Sequence, residues 1–278
     1  MGLENFIPEV WSAKLFVRLR KNLVHASVIN RDYEGEISAF GDTVRINEIG
    51  AIDVGTYTKN TAITVQNLTS AQKMLTIDQA KYFAFSVDDI DAVQTKPKVI
   101  DGAMSEAAYS IGDTIDQHIA GLYTQAGNSV TALTVSVGAV LLNLSNMQLA
   151  LDEANVPTGG RFLPIPPWYN QHLVRATSGA VSATGVPKIF DDGMIVSGYV
   201  GNLFGFNLLM SNNVNNNGTV WNMMGFTRAA ITHARQINAK IEGYRLESQF
   251  GDGVKGLYLY GSKVVRPNAM VSCAATKG

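Results

Sequence analysis

Four histidines, one cysteine and three pairs of adjacent acids are the side chains of this 278-residue chain best suited to catalysis or metal binding. His25, His118, His172 and His233 lack the short intervals by which one element presents two ligands to a metal. The acids nearest His118 are Asp113 and Asp116. Asp116 stands two residues away, off the His118 face of a helix, whereas Thr114 and Leu122 share that face. A histidine satisfied on a polar helix face is therefore expected there. Asp88-Asp89, Asp152-Glu153 and Asp191-Asp192 point their carboxylates in different directions on helix or strand, which suits caps and solvent better than paired acid–base work. Cys273 is the only cysteine, so an internal disulfide and a multi-cysteine metal site are excluded, and it reads as a small thiol near the C-terminus.

Two glycine-rich runs could approach a phosphate. Gly198-Tyr199-Val200-Gly201-Asn202-Leu203-Phe204-Gly205 departs from the dinucleotide spacing and leads into a strand, and Gly251-Asp252-Gly253-Val254-Lys255-Gly256 lacks the Lys-Ser/Thr of a phosphate loop. Both read as turns. There is no Gly-x-Ser-x-Gly elbow. No catalytic residue, metal site or cofactor is expected.

Composition points elsewhere. Hydrophobic residues make up 46% and charged residues only 16%, against about 25% charged in ordinary soluble domains. Much of the surface is then neutral or taken up by contacts. The net charge of −1 does not suit a basic nucleic-acid binder, but the charge is unevenly spread. Residues 1–31 carry five bases and two acids, residues 32–126 six bases and fourteen acids, and residues 127–278 eleven bases and seven acids. An acidic middle between basic ends suits copies that lay one chain's middle against another's end. Lys14, Arg18, Arg20 and Lys21 either touch phosphates or form the solvated face of an amphipathic arm. The N-terminus has no signal-peptide pattern, and no apolar run approaches the ~18 residues that span a bilayer, so a soluble chain without a membrane partner is expected.

The elements that must position these residues follow from periodicity. Trp11, Leu15, Phe16, Leu19 and Leu23 recur at helical spacing, predicting a helix or docked arm over residues 8–24. Residues 41–49 and 75–87 read as two β-segments around a polar excursion, with Leu75, Ile77, Phe83, Phe85 and Val87 on one face interrupted by Gln79 and Lys81. A two-stranded hairpin is marginal alone in water. Its interrupted stripe predicts that another chain supplies part of its surface. Ile100, Met104, Ala107, Ala108, Ile111, Ile115, Ile119 and Leu122 form one apolar stripe, predicting a helix as long as a domain is wide. Further helices are predicted over Val140–Asn155 and Trp168–Ala176, and a Gly/Ser-rich loop over 178–194. Strands are predicted at Leu203–Met210, and at Ala239–Phe250 and Gly256–Val265 around a turn at Gly251-Asp252-Gly253. The fold class is α+β.

This order of parts resembles the major capsid proteins of tailed bacteriophages, with the Hong Kong 97-like fold. The runs that carry the resemblance are Phe6-Ile7-Pro8-Glu9-Val10-Trp11-Ser12-Ala13, Asn30-Arg31-Asp32-Tyr33-Glu34-Gly35-Glu36, Gly41-Asp42-Thr43-Val44-Arg45-Ile46, Leu75-Thr76-Ile77-Asp78-Gln79-Ala80-Lys81-Tyr82-Phe83 and Gly205-Phe206-Asn207-Leu208-Leu209-Met210-Ser211-Asn212-Asn213. The resemblance covers essentially the whole chain. It implies an N-terminal arm over 1–32 and an extended E-loop hairpin over 42–90. It further implies a peripheral domain over 91–160 with 235–278, containing the spine helix 98–126, and an axial domain over 161–234. In function it implies a non-enzymatic subunit that self-assembles as hexamers and pentamers into an icosahedral shell around double-stranded DNA. The arm begins almost at Met1, which implies a separate scaffolding protein or none; a portal and a decoration protein are further partners of such a shell. Expected inter-subunit contacts of the hairpin are Arg45, Asp53, Lys59, Lys73 and Asp78, with its acids facing bases of the C-terminal third. Arm docking is expected through Trp11, Leu15, Arg18 and Arg20. Lys59 and Lys73 have no identifiable Asn or Glu partners for cross-linking. An encapsulin-type nanocompartment shell, and more remotely a soluble ligand-binding enzyme, are the alternative functions.

Overall fold

The computed structural model describes residues 20–32, 43–49, 52, 54–60, 62, 65–67, 70–88, 98–177, 199–247 and 250–278. In chain order the elements are β1 (Thr43–Ile49), β2 (Ser70–Thr76), β3 (Gln79–Asp88), α1 (Lys98–Ala120), β4 (Asn128–Val135), α2 (Val140–Glu153), β5 (Arg161–Ile165), α3 (Pro167–Thr177), β6 (Tyr199–Leu203), β7 (Phe206–Met210), β8 (Asn215–Asn216), β9 (Val220–Thr227), β10 (Ile231–Arg245), β11 (Gly251–Val264) and β12 (Met270–Lys277). At about 1.5 Å per residue α1 is roughly 35 Å long, and a 3₁₀ segment, Gly121–Gln125, prolongs it.

A seven-stranded mixed sheet, in the order β4-β12-β9-β5-β7-β6 with β8 on β9, forms the middle of three layers. Strand geometry sends neighbouring residues to opposite faces, and the sequence uses this at two adjacent pairs. Met224, Phe226 and Met270 face the end of α1, where Ile115, Ile119 and Leu122 are buried. Met223, Val271 and Cys273 face α2 and α3, packing with Leu144, Met147, Leu151 and Leu173. Each such side chain, fully buried, stabilises by roughly 1.5–3 kcal/mol. The apolar stripe read along α1 is therefore one layer of the core in its C-terminal half.

The second β-segment read from the sequence divides. Its first two residues, Leu75 and Thr76, end β2, which starts at Ser70 inside the expected polar excursion and pairs antiparallel with β1 from Thr43↔Thr76 to Ile49↔Ser70. Its second part, β3, leaves that hairpin and pairs with β11 from Gln79↔Tyr260 to Asp88↔Gly251, making a three-stranded sheet in the order β10-β11-β3. The switch falls at Ile77-Asp78. There the chain passes so close over Gly261 that a Cβ on that residue would lie 2.1 Å from the Thr76 carbonyl oxygen. The alternation of faces survives the switch, because Leu75 and Ile77 are buried and Gln79, Lys81, Phe83 and Phe85 are partly covered on the same side. Period-2 patterning alone does not distinguish one long strand from two that share a face.

Two other expectations change. Leu203–Met210 is a hairpin, β6 and β7, turned at Phe204 and Gly205, whose φ values of 51° and 75° fit a two-residue turn. Gly251-Asp252-Gly253 lies inside β11, so the turn from β10 precedes it. Of the helix or docked arm expected over 8–24, residues 20–24 take the non-helical, docked form, and the rest falls outside the described residues, as does the loop expected over 178–194. The seven-stranded sheet takes β4 and β12 from the peripheral domain and β5, β6, β7 and β9 from the axial domain of the expected division.

Candidate assembly surfaces

The β1–β2 hairpin stands apart, as a sheet of its own. At its root, Ile46, Leu75 and Ile77 bury against Ala234 and Val265. Lys73 Nζ donates to the Val265 carbonyl at 2.6 Å, and Lys263 Nζ to the Met74 carbonyl at 2.9 Å. Beyond that root the chain exposes Ile52, Val54, Tyr57 and Val65, with Val54 96% exposed. A groove of about 1000 Å³ opens beside the root, lined by Lys73, Asn155, Thr232, Arg266 and Asn268 among others.

A second surface is closed by the chain itself. Segment 20–32 lies along α1 as a strap. Arg20 Nη2 donates to Ser105 Oγ at 2.7 Å, stands 3.7 Å from Glu106 Oε2, and covers the Tyr109 ring at 5.3 Å. Leu23 then crosses Gly112, where a Cβ would meet its Cδ1 at 2.9 Å. Glycine inside a helix destabilises by about 1 kcal/mol relative to alanine; here it makes room for the strap. One turn further, Asp116 accepts from His25 Nδ1 at 3.1 Å, from the Ala26 N–H at 3.0 Å and from Asn213 Nδ2 at 3.0 Å. His25 and Asp116 are buried, at 1% and 0% exposure. Burial by itself would raise the Asp116 carboxyl, but the His25 ring, the Ala26 N–H and the Asn213 amide outweigh it and hold the group below the ordinary carboxylate value.

The expected site residues thus separate. Arg45 and Asp78 are exposed, on β1 and at the β2–β3 junction, and Lys59 is exposed in a turn beside Asn60, whose φ is 67°. Lys73 serves the attachment of the hairpin to its own chain. Arg20 sits on α1. Asp53, Trp11, Leu15 and Arg18 lie outside the described residues. What sequence reading missed is the pairing of Asp116 with His25 and Asn213, which lie 91 and 97 residues from the acid. The only local sign is a row at helical spacing, Gly112, Asp116 and Ala120, small or polar beside the large apolar stripe.

His118, His233, Cys273 and Arg161 pack or hydrogen-bond within the chain. Among the described residues no group of three or more His, Cys, Asp or Glu could hold a metal, and no helix is long and apolar enough to cross a membrane. His118 is half-buried edge-on to Tyr260 at 5.6 Å, and its Nε2 has no hydrogen-bond partner among the described residues, unlike the satisfied polar-face histidine expected. Burial, with Lys81 adding and Asp78 opposing, depresses its pKa. His233, with Nδ1 2.9 Å from Ser262 Oγ, is pushed down to about 4 by burial and then by Arg31, Arg235 and His118. Cys273 is buried, accepts from Asn143 Nδ2 at 3.1 Å, and has its pKa raised by burial. Arg161, fully buried, donates to the Val156 and Pro157 carbonyls and pairs with Asp152 at 2.7 Å, closing the α2–β5 connection.

A family model described as phage capsid protein matches residues 51–272. No curated protein matches the chain. Among solved structures, a chain of Mycobacterium phage Che8 is 28% identical, with 98% of each chain covered and a TM-score of 0.81. The capsid structure of cyanophage P-SCSP1u is 15% identical, covering 100% of this chain and 95% of that one at a TM-score of 0.78. The capsid of the Myoviridae phage XM1 is 12% identical, covering 99% and 98% at 0.69.

Proposed function

The chain belongs to the phage capsid protein family, and from that premise we propose that its copies join through the β1–β2 hairpin, as hexamers and pentamers, into an icosahedral shell. The protein is a structural subunit of a bacteriophage head, self-assembling into its shell and carried in the virion. Its α+β architecture is compatible with the Hong Kong 97-like scheme. In that scheme segment 20–32 ends the N-terminal arm, the hairpin is the E-loop, α1 is the spine helix of the peripheral domain, and residues 161–234 form the axial domain. Double-stranded DNA is the proposed content, without sequence-specific binding. A separate scaffolding protein, a portal and a decoration protein are the proposed further partners, and the host cytoplasm the place of assembly. The subunit's task is mechanical and needs no catalytic group.

The observation that supports the hairpin contact is its exposed apolar tip. A self-paired ribbon carrying Ile52, Val54, Tyr57 and Val65 in water gains by burying them on a neighbour. The acid-rich middle and base-rich C-terminal third add a complementary electrostatic term. The test is the double variant V54D/V65D, expressed with the phage's other head proteins and followed by light scattering and negative-stain microscopy. Wild-type chain is expected as megadalton shells and the variant as folded, unassembled chain or capsomers. Normal shells from the variant would remove the hairpin from the assembly contact. Wild-type chain that stays a small oligomer beside those partners would overturn the self-assembly reading.

A further inference from the structure

We propose that Asp113 and Asp116 couple the seating of strap 20–32 on α1 to the position of loop 211–214 at the rim of the seven-stranded sheet, so that displacing one loosens the other. The shell reading requires no such link; the hydrogen-bond connectivity carries it.

Asn213 is the shared piece. Its Nδ2 donates to Asp113 Oδ1 at 2.7 Å and to Asp116 Oδ2 at 3.0 Å, while its Oδ1 accepts from Lys21 Nζ at 3.1 Å. The strap reaches the same two carboxylates. Lys21 Nζ lies 3.4 Å from Asp113 Oδ2, and His25 Nδ1 and the Ala26 N–H bond the two oxygens of Asp116. Strap, helix and loop thus form a closed ring of bonds. The loop end is fixed to the sheet in turn, because the Asn213 N–H donates to Ser211 Oγ at 3.1 Å, the Ser211 N–H donates to the Ile165 carbonyl at 2.9 Å, and Val214 is buried in the core below.

The energetics make the ring cooperative. Asp116 is fully buried and charged, and a buried charge is tolerated only while its partners remain. Lifting the strap removes the imidazole and one backbone donor from Asp116 and the ammonium from Asp113. The carboxylates must then find water, and the opening that admits it also competes for Asn213. Moving the loop has the converse effect on the strap, as linkage demands. Apolar contact such as Leu23 on Gly112 would tolerate sliding, whereas hydrogen bonds weaken steeply with misalignment. Because residues 1–19 precede the strap, any tension on them reaches the sheet rim through this ring.

Limited trypsin digestion of the full-length chain tests the coupling, cleavage after Arg20 and Lys21 reporting strap opening. Asn213→Ala, which touches no strap backbone, is expected to speed that cleavage about tenfold, the effect of losing a hydrogen bond to a charged group. Asn222→Ala, which removes a neighbouring bond to Asn215 without reaching Asp116, is expected to leave it unchanged. Reciprocally, His25→Ala should raise amide hydrogen exchange at Asn213. Wild-type strap cleavage in Asn213→Ala, or unaltered exchange in His25→Ala, would overturn the proposal. So would an Asn213→Ala chain in which cleavage after Arg245 and Lys255 rises as much as at the strap, because the contact would then stabilise the whole fold and not this link.

Discussion

Strap 20–32 and the β1–β2 hairpin both run outside the layered body of the molecule, and they are held in opposite ways. The strap brings charge and hydrogen-bonding groups to a helix that has matching ones, and together they bury His25 and Asp116 almost completely. The hairpin brings apolar side chains to its tip, where Ile52, Val54, Tyr57 and Val65 stay exposed, and its root is buried against Ala234 and Val265. A polar cluster of this kind is complete within one copy. An exposed apolar ribbon is complete only with another. The difference separates what the subunit needs for its own fold from the surface proposed for assembly.

The comparison breaks most sharply at Asp116. Asp116→Ala leaves His25 and the Ala26 N–H without their acceptor and Asn213 with Asp113 alone, and should destabilise the isolated chain by about 3 kcal/mol in denaturant unfolding. Acid should reach the same side of the molecule by a second route. His233 titrates at about 4 when folded against an ordinary 6.5, so the unfolded chain takes up the proton first. Stability is then full above pH 6.5, falls as pH drops from 6.5 to 4, and by that gap loses about 3 kcal/mol at most. His233→Gln should flatten the loss over this window. Asp116 adds a separate loss only below its ordinary value of 3.8, because its folded pKa is lowered and its contribution vanishes as the carboxylate protonates.

Smaller effects sharpen the contrast. Gly112→Ala should gain up to about 1 kcal/mol of helix propensity while pushing Leu23 aside. The expected result is a melting temperature near wild type with faster cleavage after Lys21. The smallest effect on folding belongs to the hairpin tip. Val54→Ser with Val65→Ser should change unfolding free energy by less than about 0.5 kcal/mol yet lower the yield of shells. A loss of folding stability as large as that of Asp116→Ala would mean that the chain itself covers the tip.

Much of the body was legible because its signals are local. The stripe from Ile100 to Leu122 has one period, and α1 with its 3₁₀ extension spans nearly the predicted interval. Leu144, Met147 and Leu151, at helical spacing in the segment predicted over Val140–Asn155, lie buried on α2 in the same way. The errors fall where two arrangements share one local pattern. Leu75 to Val87 keeps one face through the polar interruption at Gln79 and Lys81, yet the chain changes partner strand at Ile77-Asp78, where Gly261 admits the crossing. Phe204-Gly205 turned a predicted strand into a hairpin, a two-residue event that the apolar run around it conceals. Asp116 looked like one more acid on the polar side of a helix.

The sequence by itself determined the layers of this protein, because periods of 3.6 and 2 dictate which side chains an element must hide. Only the tertiary structure decided the partners. Which strand β3 joins, and that His25, Asp116 and Asn213 meet, depend on contacts between residues from about 90 to more than 170 positions apart. No local propensity encodes such meetings, since they are selected by the packing of the whole chain and the need to satisfy every charge it buries.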